Sequence, residues 1–529
     1  MKPIIFAAII LILTSACQPS SQEISEIVKT QNGKIEGISD SNNGLHIFKG
    51  IPFAKTPVGK LRWKAPQAVE NWKGIKKCTE FSAIAMQRDP APFSMWTSEF
   101  IAPAGNMSED CLYLNVWTPA KSTADQLPVM VFIHGGGFNS GSGSVPIYNG
   151  VAMAKKGVIF VTINYRVGIL GFFSHPELSA ESPENISGNQ GLLDQLAALK
   201  WVNQNIRAFG GDPNNVTISG QSAGAFSVCY LTASPLAKGL FQKAIAESGG
   251  AFRPMNQENG SNNLDAAEKR GLQLQEMLNT KSLDELKAID AKELIKQNVP
   301  YGPIIDGHFL IKSVAETYKA GLQNDVSLIS GWNEDEGLGG QVQTADQFEL
   351  KIRQYFGNMA KDFLREFPSG NEEEAIASQK KLATLSSFGI QSYEWMQLQN
   401  ESGKADVYLY YFTRNVPYGE GQQDFGAFHS GELAYAYNNL DQSTIRPWTE
   451  ADRKLADQMS SYWVNFAKTG NPNGAGLPSW NVSNSEEDQI INFDTEIGAI
   501  NIPDLSRLIV LRHFYEPQNQ NIPDFPTQR

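Results

Sequence analysis

The sequence predicts an α/β fold, in which a mostly parallel central sheet is flanked by helices. The chain has 529 residues, 41% of them hydrophobic, which is ample for a large core. No linker, repeat or low-complexity tract is visible, so residues 26–529 are predicted to form a single domain. Short apolar and β-branched runs, typical of strands buried on both faces of a parallel sheet, give the candidate core strands 129–133, 158–163, 216–218, 244–246 and 326–329.

The N-terminus has the pattern of an export signal. A lysine precedes an apolar run over 4–13, which is too short to span a bilayer and suits the core of a signal peptide. The run ends in "TSAC", which resembles a bacterial lipoprotein signal, although Thr14 stands where leucine is usual. We expect a signal peptide over 1–16 and a lipid-modified Cys17 within a polar tether over 17–25. An ordinary secretory signal cleaved nearby is the alternative. Either way, the sequence predicts an exported bacterial protein. The lipoprotein signal predicts a location in the cell envelope, whereas an ordinary signal predicts a periplasmic or secreted protein.

The charge of the chain excludes one class of partner. Its formal net charge is −12 and its pI is about 5.2. Nucleic-acid binding needs a basic face to neutralise phosphates, so we expect no nucleic-acid partner. The net negative charge is interpreted as a contribution to solubility. Membrane contact is expected only through the lipid on Cys17.

The remaining cysteines suggest one disulfide. Cys78 and Cys111 bracket a loop in a chain predicted to be exported, where disulfides persist. A bond between them would stabilise the fold by about 3–4 kcal/mol in the chain-entropy model. Cys229 lies in an apolar helical stretch and is predicted to be a buried, inert thiol.

The candidate strand 129–133 runs into the glycine-rich segment "HGGGF". Three consecutive glycines after a core strand allow backbone N–H groups to turn toward a ligand, where they can stabilise an oxyanion. A flexible loop is the alternative, although such a loop has no need of an adjacent core strand. His134 is interpreted as structural.

The segment "VTISGQSAGAF" contains a serine between two glycines. The candidate strand 216–218 precedes it, and small residues that begin a helix follow it. A G-x-S-x-G sequence by itself is a modest signal, but a strand before it and a helix after it are the context that a nucleophile elbow requires. The glycines remove the Cβ atoms that would clash in so sharp a turn. Ser222 is therefore the candidate nucleophile.

A serine nucleophile needs a base and an acid. Of six histidines, His429 in "DFGAFHSGELAYAY" has a small-residue turn and lies downstream of the serine, as the order Ser…acid…His requires. The candidate strand 326–329 leads to Glu334, Asp335 and Glu336, near the strand end where open α/β sheets build their sites. The local sequence leaves the choice among these three carboxylates open.

These residues match a known family. "FGGDPNNVTISGQSAGAFSV" and "SEDCLYLNVWTP" resemble the two signatures of the type-B carboxylesterases, and the match continues through "FKGIPFAKTPVGKLRW", "NYRVGILGFF", "GNQGLLDQLAALKWVNQNI", "GWNEDEG", "GAFHSGEL" and "SSYWVNFAKTGNPN". The resemblance covers nearly the whole chain after residue 25. It implies an α/β-hydrolase fold with large helical insertions around an active-site gorge.

The resemblance also implies roles for individual residues. The triad would be Ser222, Glu336 and His429. The oxyanion would be held by the backbone N–H groups of Gly136, Gly137 and Ala223. Apart from the resemblance, Ser248 in "AIAESGG" is a candidate to hydrogen-bond to the catalytic groups. Two structural ion pairs are implied, Arg62 with Glu109 and Arg166 with Asp194.

The sequence departs from the family pattern at two positions. Gln221 precedes the serine where glutamate is commoner, which alters a hydrogen-bond network without removing a catalytic group. The family's first disulfide cysteine lies near the position of Met86 instead of Cys78.

We therefore expect a carboxylic ester hydrolase that acts on a small-molecule ester through an acyl-serine intermediate and requires no metal or organic cofactor. A lipase or an acyltransferase on the same triad is the alternative, because pocket shape and water access decide among them. Pocket shape and water access depend on the segment from Ala251 to Gln423, which is expected to pack around and over the gorge. A non-catalytic binding ectodomain is the other alternative, disfavoured because the serine, glutamate, histidine and triple glycine are all present. Oligomeric state leaves no mark in the sequence.

Overall fold

The computed structural model describes residues 22–252, 262–297, 299, 301–337, 342–419, 421, 423–484 and 489–516. The expected signal peptide over 1–16 and the expected lipidation site Cys17 lie outside these described residues. Within them, no helix combines the length and apolar character needed to cross a membrane.

The described strands are β1 (Ile27–Lys29), β2 (Lys34–Glu36), β3 (Ile38–Asp40), β4 (Leu45–Pro52), β5 (Ile75–Lys77), β6 (Ile84–Ala85), β7 (Met107–Ser108), β8 (Tyr113–Thr118), β9 (Leu127–Ile133), β10 (Ile159–Ile163), β11 (Gly211–Gln221), β12 (Lys243–Glu247), β13 (Ser327–Asn333), β14 (Val407–Phe412), β15 (Gln489–Phe493) and β16 (Gly498–Asn501).

The described α-helices are α1 (Val151–Lys155), α2 (Gly168–Phe172), α3 (Pro176–Ala180), α4 (Gln190–Asn205), α5 (Ala223–Ala233), α6 (Leu264–Met277), α7 (Leu283–Ala288), α8 (Ala291–Leu294), α9 (Val314–Lys319), α10 (Ala345–Phe356), α11 (Ala360–Glu366), α12 (Glu372–Thr384), α13 (Ile390–Ser402), α14 (Leu433–Ala436), α15 (Glu450–Thr469) and α16 (Leu505–Phe514). A π-helical turn, Leu385–Gly389, joins α12 to α13.

One large mixed sheet organises the molecule. Its strand order is β16-β15-β14-β13-β12-β11-β9-β10-β8-β4-β3. The strands from β10 to β15 pair in parallel, whereas β3, β4, β8 and β16 pair antiparallel at the two edges. This arrangement confirms the predicted mostly parallel central sheet.

Burial on both faces explains why the core strands are visible in the sequence. In β9, Val129, Val131 and Ile133 belong to the hydrophobic cluster on one face of the sheet, and Met130 and Phe132 belong to the cluster on the other. A strand packed on both faces has no polar alternation, so it appears as a continuous apolar run. Each of the five predicted runs overlaps one of the strands from β9 to β13.

The two implied ion pairs are present. Arg62 and Glu109 approach to 2.5 Å, and Arg166 and Asp194 to 2.7 Å, with the second pair almost fully buried. The Asp194 carboxylate also accepts the backbone N–H of Arg166. Both pairs lie outside the serine and histidine loops and hold the fold together.

The predicted disulfide is wrong, since Cys78 and Cys111 are both free thiols. The Sγ of Cys78 lies 3.8 Å from the carbonyl oxygen of Gly50, and burial raises the pKa of this thiol to about 11. Cys111 instead lines a small cavity together with Met86. The two thiols therefore have different surroundings, Cys78 beside the backbone of Gly50 and Cys111 at the cavity with Met86. Cys229 is a free, buried thiol, as expected.

Candidate active site

The serine motif forms a sharp turn between β11 and α5. Ser222 has φ 55° and ψ −126°, a conformation that non-glycine residues rarely adopt and that stores strain. A Cβ atom placed on Gly220 would lie 2.5 Å from the carbonyl carbon of Gly224, and one on Gly224 would lie 2.0 Å from the carbonyl oxygen of Ile133. Each flanking glycine is therefore required by a backbone contact, which explains the spacing of the motif.

The turn is held by the neighbouring strand. The backbone N–H of Ser222 donates to the carbonyl oxygen of Glu247 at the end of β12, at 3.0 Å. The half-buried Ser222 side chain stands at the carboxyl ends of the parallel strands, where α/β sheets present their ligand sites.

The triple-glycine loop lies directly against this serine. A Cβ atom placed on Gly135 would lie 3.1 Å from the Cβ of Ser222. Gly136 and Gly137 both have positive φ, 107° and 60°, so the backbone conformation favours glycine at each position. No described atom lies within 4 Å of a Cβ built on Gly137, which leaves open space in front of the loop.

Three backbone N–H groups lie free at this corner. Among the described residues, the N–H groups of Gly136, Gly137 and Ala223 make no hydrogen bond. The N–H of Ala223 is unsatisfied because it belongs to the first turn of a helix, where donors lack an intrahelical partner. A developing negative charge beside Ser222 can accept from such donors.

His429 is brought to this edge of the sheet by a loop pinned to the end of β13. The backbone N–H of Asp335 donates to the carbonyl oxygen of Ala427 at 3.1 Å, and the carboxylate of Asp335 accepts the N–H of Ala427 at 2.9 Å. These bonds give Asp335 a structural task. They place the imidazole beside the third carboxylate of the loop.

Burial distinguishes the three carboxylates that the sequence leaves open. Glu334 and Asp335 are exposed, whereas Glu336 is fully buried. The Oε1 of Glu336 lies 2.9 Å from Nδ1 of His429, and its Oε2 accepts the backbone N–H of Asn333 at 3.0 Å. Of the three carboxylates, Glu336 is the one that contacts the imidazole.

Gln221 also contacts this ring, and its amide nitrogen is near both ring nitrogens. Its Nε2 lies 3.2 Å from Nε2 of His429. The Glu336 carboxylate accepts from Nδ1, so the proton of a neutral ring is on Nδ1, facing Glu336. This tautomer leaves Nε2 as the basic nitrogen of the ring, and among the described residues no hydrogen bond joins it to the Ser222 hydroxyl.

Two aromatic side chains complete the surroundings of the imidazole, and the sequence analysis missed both. Phe388 stacks on His429 with ring centroids 4.4 Å apart, and Trp96 meets its edge at 6.3 Å. The indole N–H of Trp96 donates to the hydroxyl of Ser430 at 3.3 Å. Neither residue lies in a motif, so no local signal distinguishes it from other buried aromatics. Because Phe388 lies between Ala251 and Gln423, this segment does contribute to the site.

Two further buried carboxyls lie near the site. Burial raises the pKa of Glu247 to about 8, and its oxygens accept from the side chains of Tyr437 and Trp463. Burial first, and then the charges of Glu336 and Glu247, raises the pKa of Glu432 well above its usual value. Asn333 donates to Glu432 and, through its backbone, to Glu336, so both carboxyls are positioned by one residue.

Ser248 is fully buried with φ 54°, and its backbone N–H donates to the carbonyl oxygen of Gly331. Its hydroxyl has no hydrogen-bond partner among the described residues, so the expected bond to the catalytic groups is not formed. His134 is buried and stacks on Tyr165, and burial lowers its pKa to about 4. These features agree with a structural role for His134.

The fold and the sequence both have close counterparts among known proteins. Solved structures titled PNB esterase and thermophilic PNB esterase superpose with TM-scores of 0.76 and 0.78, each at 33% identity over 92% of this chain and 99% of theirs. The para-nitrobenzyl esterase of Bacillus subtilis is 36% identical over 506 residues, 90% of this chain and 97% of the relative. The fumonisin B1 esterase of Sphingopyxis macrogoltabida is 35% identical over 494 residues, 89% of this chain and 86% of the relative.

The structural matches identify the protein as an α/β-hydrolase. The model of the carboxylesterase family matches residues 24–504, and the chain belongs to that family. It is a carboxylic ester hydrolase.

Proposed function

We propose that Ser222, His429 and Glu336 are the nucleophile, base and acid of this ester hydrolase. The observation that carries the proposal is the 2.9 Å contact between His429 Nδ1 and the buried Glu336, at the edge of the sheet where the strained turn presents Ser222. The carboxylate fixes the tautomer in which Nε2 can take a proton from the serine hydroxyl.

In the first step, the Ser222 oxygen attacks the ester carbonyl carbon while its proton passes to Nε2 of His429. The carbonyl oxygen becomes an oxyanion, which accepts hydrogen bonds from the N–H groups of Gly136, Gly137 and Ala223. One such donor contributes about 3–4 kcal/mol to the transition state in comparable enzymes. The imidazolium then protonates the leaving alcohol as its bond to carbon breaks, and an acyl-serine remains.

In the second step, water gives a proton to Nε2 and attacks the acyl-serine. A second oxyanion forms in the same place and collapses, and His429 returns the proton to Ser222 as the carboxylic acid departs. Every proton moves between atoms of this chain, the ester and water.

The experiment is hydrolysis of p-nitrophenyl esters from acetate to palmitate by the purified protein, with and without an organophosphonate. The proposal requires that p-nitrophenolate is released and that this release stops when one phosphonate is bound per chain. Turnover that persists after stoichiometric labelling would contradict a serine nucleophile. The chain-length profile also separates a short-chain esterase from a lipase.

Gln221→Glu is expected to move the acid limb of the kcat/KM profile for p-nitrophenyl acetate to higher pH. A carboxylate beside the imidazole favours its protonated form, so the base stays occupied until higher pH. Gln442→Glu is the matched control, because it adds the same charge at an exposed position. An acid limb that is identical in the wild type and Gln221→Glu would show that residue 221 does not act on the base.

We also propose that the chain is an exported bacterial lipoprotein anchored through Cys17, with residues 26–529 as one catalytic domain. The support is the short apolar run that ends in "TSAC" and the polar tether that follows it. Mass spectrometry of the membrane fraction is expected to find a diacylglyceryl group on Cys17. Cys17→Ser is expected to leave that fraction, whereas Ser20→Ala in the tether is expected to stay. A mature chain that retains residues upstream of Cys17 would contradict the anchor.

A further inference from the structure

A π-helical turn interrupts the helical segment that crosses the active site. It spans Leu385–Gly389, between α12 (Glu372–Thr384) and α13 (Ile390–Ser402). π-helical residues make up well under 1% of protein structure, and single π turns occur frequently at functional sites. The turn therefore needs an explanation, and its fourth residue, Phe388, provides one.

The ring of Phe388 lies flat on the imidazole of His429. The ring centroids are 4.4 Å apart and the planes differ by 15°. Both side chains are almost fully buried, with 4% of Phe388 and 2% of His429 exposed. Hence little solvent separates the aromatic face from any charge that forms on the imidazole.

Close packing on both sides of the turn fixes its position. A Cβ atom on Gly389 would lie 2.9 Å from Leu385 Cδ2 and 3.5 Å from Trp332 Nε1, so a larger residue here would have to displace the Leu385 side chain. One turn later, the hydroxyl of Ser392 donates to the carbonyl oxygen of Gly331 at 3.2 Å and accepts from Ser330 at 3.0 Å. The turn is thus tied to β13.

The strand β13 also leads directly to Glu336. The same strand therefore positions the carboxylate at Nδ1 and, through α13, the aromatic ring on the imidazole face. The two groups contact His429 in different ways, one at its edge and one across its plane.

We propose that Phe388 is a positioning residue that stabilises the imidazolium form of His429 through a cation–π interaction, and that the π-helical turn serves to place its ring. This inference rests on the proposed role of His429 as the base. The face of a benzene ring carries negative charge density, which attracts a cation within about 6 Å of the ring centroid. His429 becomes a cation in each step of the reaction, so the interaction is strongest when the barrier is crossed.

The titratable groups around the His429 imidazole are the same in every variant that tests this proposal. Glu336 contacts Nδ1, Glu432 lies behind it across Asn333, and Asp335 holds the loop at Ala427. Gln221 and Trp96, which contact the remaining sides, carry no charge. A change confined to the ring at position 388 therefore reports the interaction across its face.

The test replaces Phe388 with 4-fluoro-, 3,5-difluoro- and pentafluorophenylalanine in the full chain. Fluorine withdraws charge from the ring face with little change in size, so packing is retained while the attraction is lost. We expect kcat/KM for p-nitrophenyl acetate to fall stepwise with fluorination, to roughly a tenth of wild type in the pentafluoro protein. The acid limb of its pH profile is expected to move to lower pH, because the imidazolium loses a stabilising partner.

Phe388→Leu is a second variant. A cation–π role and a packing role predict opposite shifts of the acid limb in it. If the ring only fills space, the smaller side chain admits water, which favours the charged imidazole and moves the acid limb to higher pH. The proposal expects the limb to move to lower pH in this variant as well. Pentafluorophenylalanine at Phe363, a buried ring in α11, is the control and is expected to leave both readouts unchanged.

Unchanged kinetics in the pentafluoro protein, or an acid limb that moves to higher pH, would overturn the inference. Failure of the proposed function is recognised separately, by phosphonate labelling of the wild type. If Ser222 is labelled in a reaction that needs His429 while fluorination has no effect, only the role of Phe388 is rejected. If Ser222 is not labelled, or is labelled without any need for His429, the proposed function itself is rejected.

Discussion

Ser222→Ala lowers kcat for p-nitrophenyl acetate by roughly 10⁶-fold if the serine is the nucleophile, as in other serine hydrolases. The methyl group leaves the strained turn, the glycine contacts and the N–H donors in place but cannot form the acyl intermediate. Initial rates of p-nitrophenolate release measure the effect. The thermal melting temperature checks that the fold is retained.

Ser227→Ala is the control for this experiment. Ser227 lies in the same helix, α5, and its hydroxyl donates to the carbonyl oxygen of Ala223. Its loss removes a hydroxyl from the helix without removing the proposed nucleophile, so activity close to wild type is expected. Turnover in Ser222→Ala that matches the Ser227→Ala control would assign the nucleophile to another residue.

Glu336→Gln is expected to lower kcat by about 10⁴-fold with little change in the melting temperature. The amide has almost the same shape as the carboxylate, but it cannot balance the charge of the imidazolium. It can also present an N–H group to Nδ1, which stabilises the wrong tautomer of His429. The measurement is again kcat with p-nitrophenyl acetate.

Glu334→Gln is the matched control, because Glu334 lies on the same loop but is exposed. It makes the same chemical change two residues away and is expected to keep wild-type activity. A large loss in Glu334→Gln together with near-normal turnover in Glu336→Gln would mean that the exposed carboxylate orients the base.

The parts of the fold that were predictable are those imposed by local chemistry. The strands from β9 to β13 are buried on both faces, so their sequences are continuous apolar runs. The turn at Ser222 needs glycine at Gly220 and Gly224 because the backbone passes within contact distance there. Such requirements appear directly in the order of residues.

The choice of Glu336 needed more than the local sequence. Glu334, Asp335 and Glu336 occupy one polar stretch, and the features that separate them are burial and the imidazole contact. Those features come from a loop about ninety residues downstream, which no local pattern can include. Family resemblance pointed to Glu336 because it carries the tertiary arrangement implicitly.

Other features depend wholly on tertiary placement. No motif in the sequence marks the π-helical turn, and the stacking of Phe388 on His429 becomes visible only when both are in place. The disulfide expectation failed for the same reason, because the order of cysteines does not show that Met86 shares the cavity with Cys111. Glu432 resembles any other acidic residue until its burial beside Glu336 is known.

The most direct test of the proposed site is peptide mapping of the protein after reaction with a fluorophosphonate probe. The account predicts one adduct per chain, on Ser222, with labelling greatly slowed in His429→Ala and absent in Ser222→Ala. An adduct on a different serine, or labelling as fast in His429→Ala as in the wild type, would contradict it.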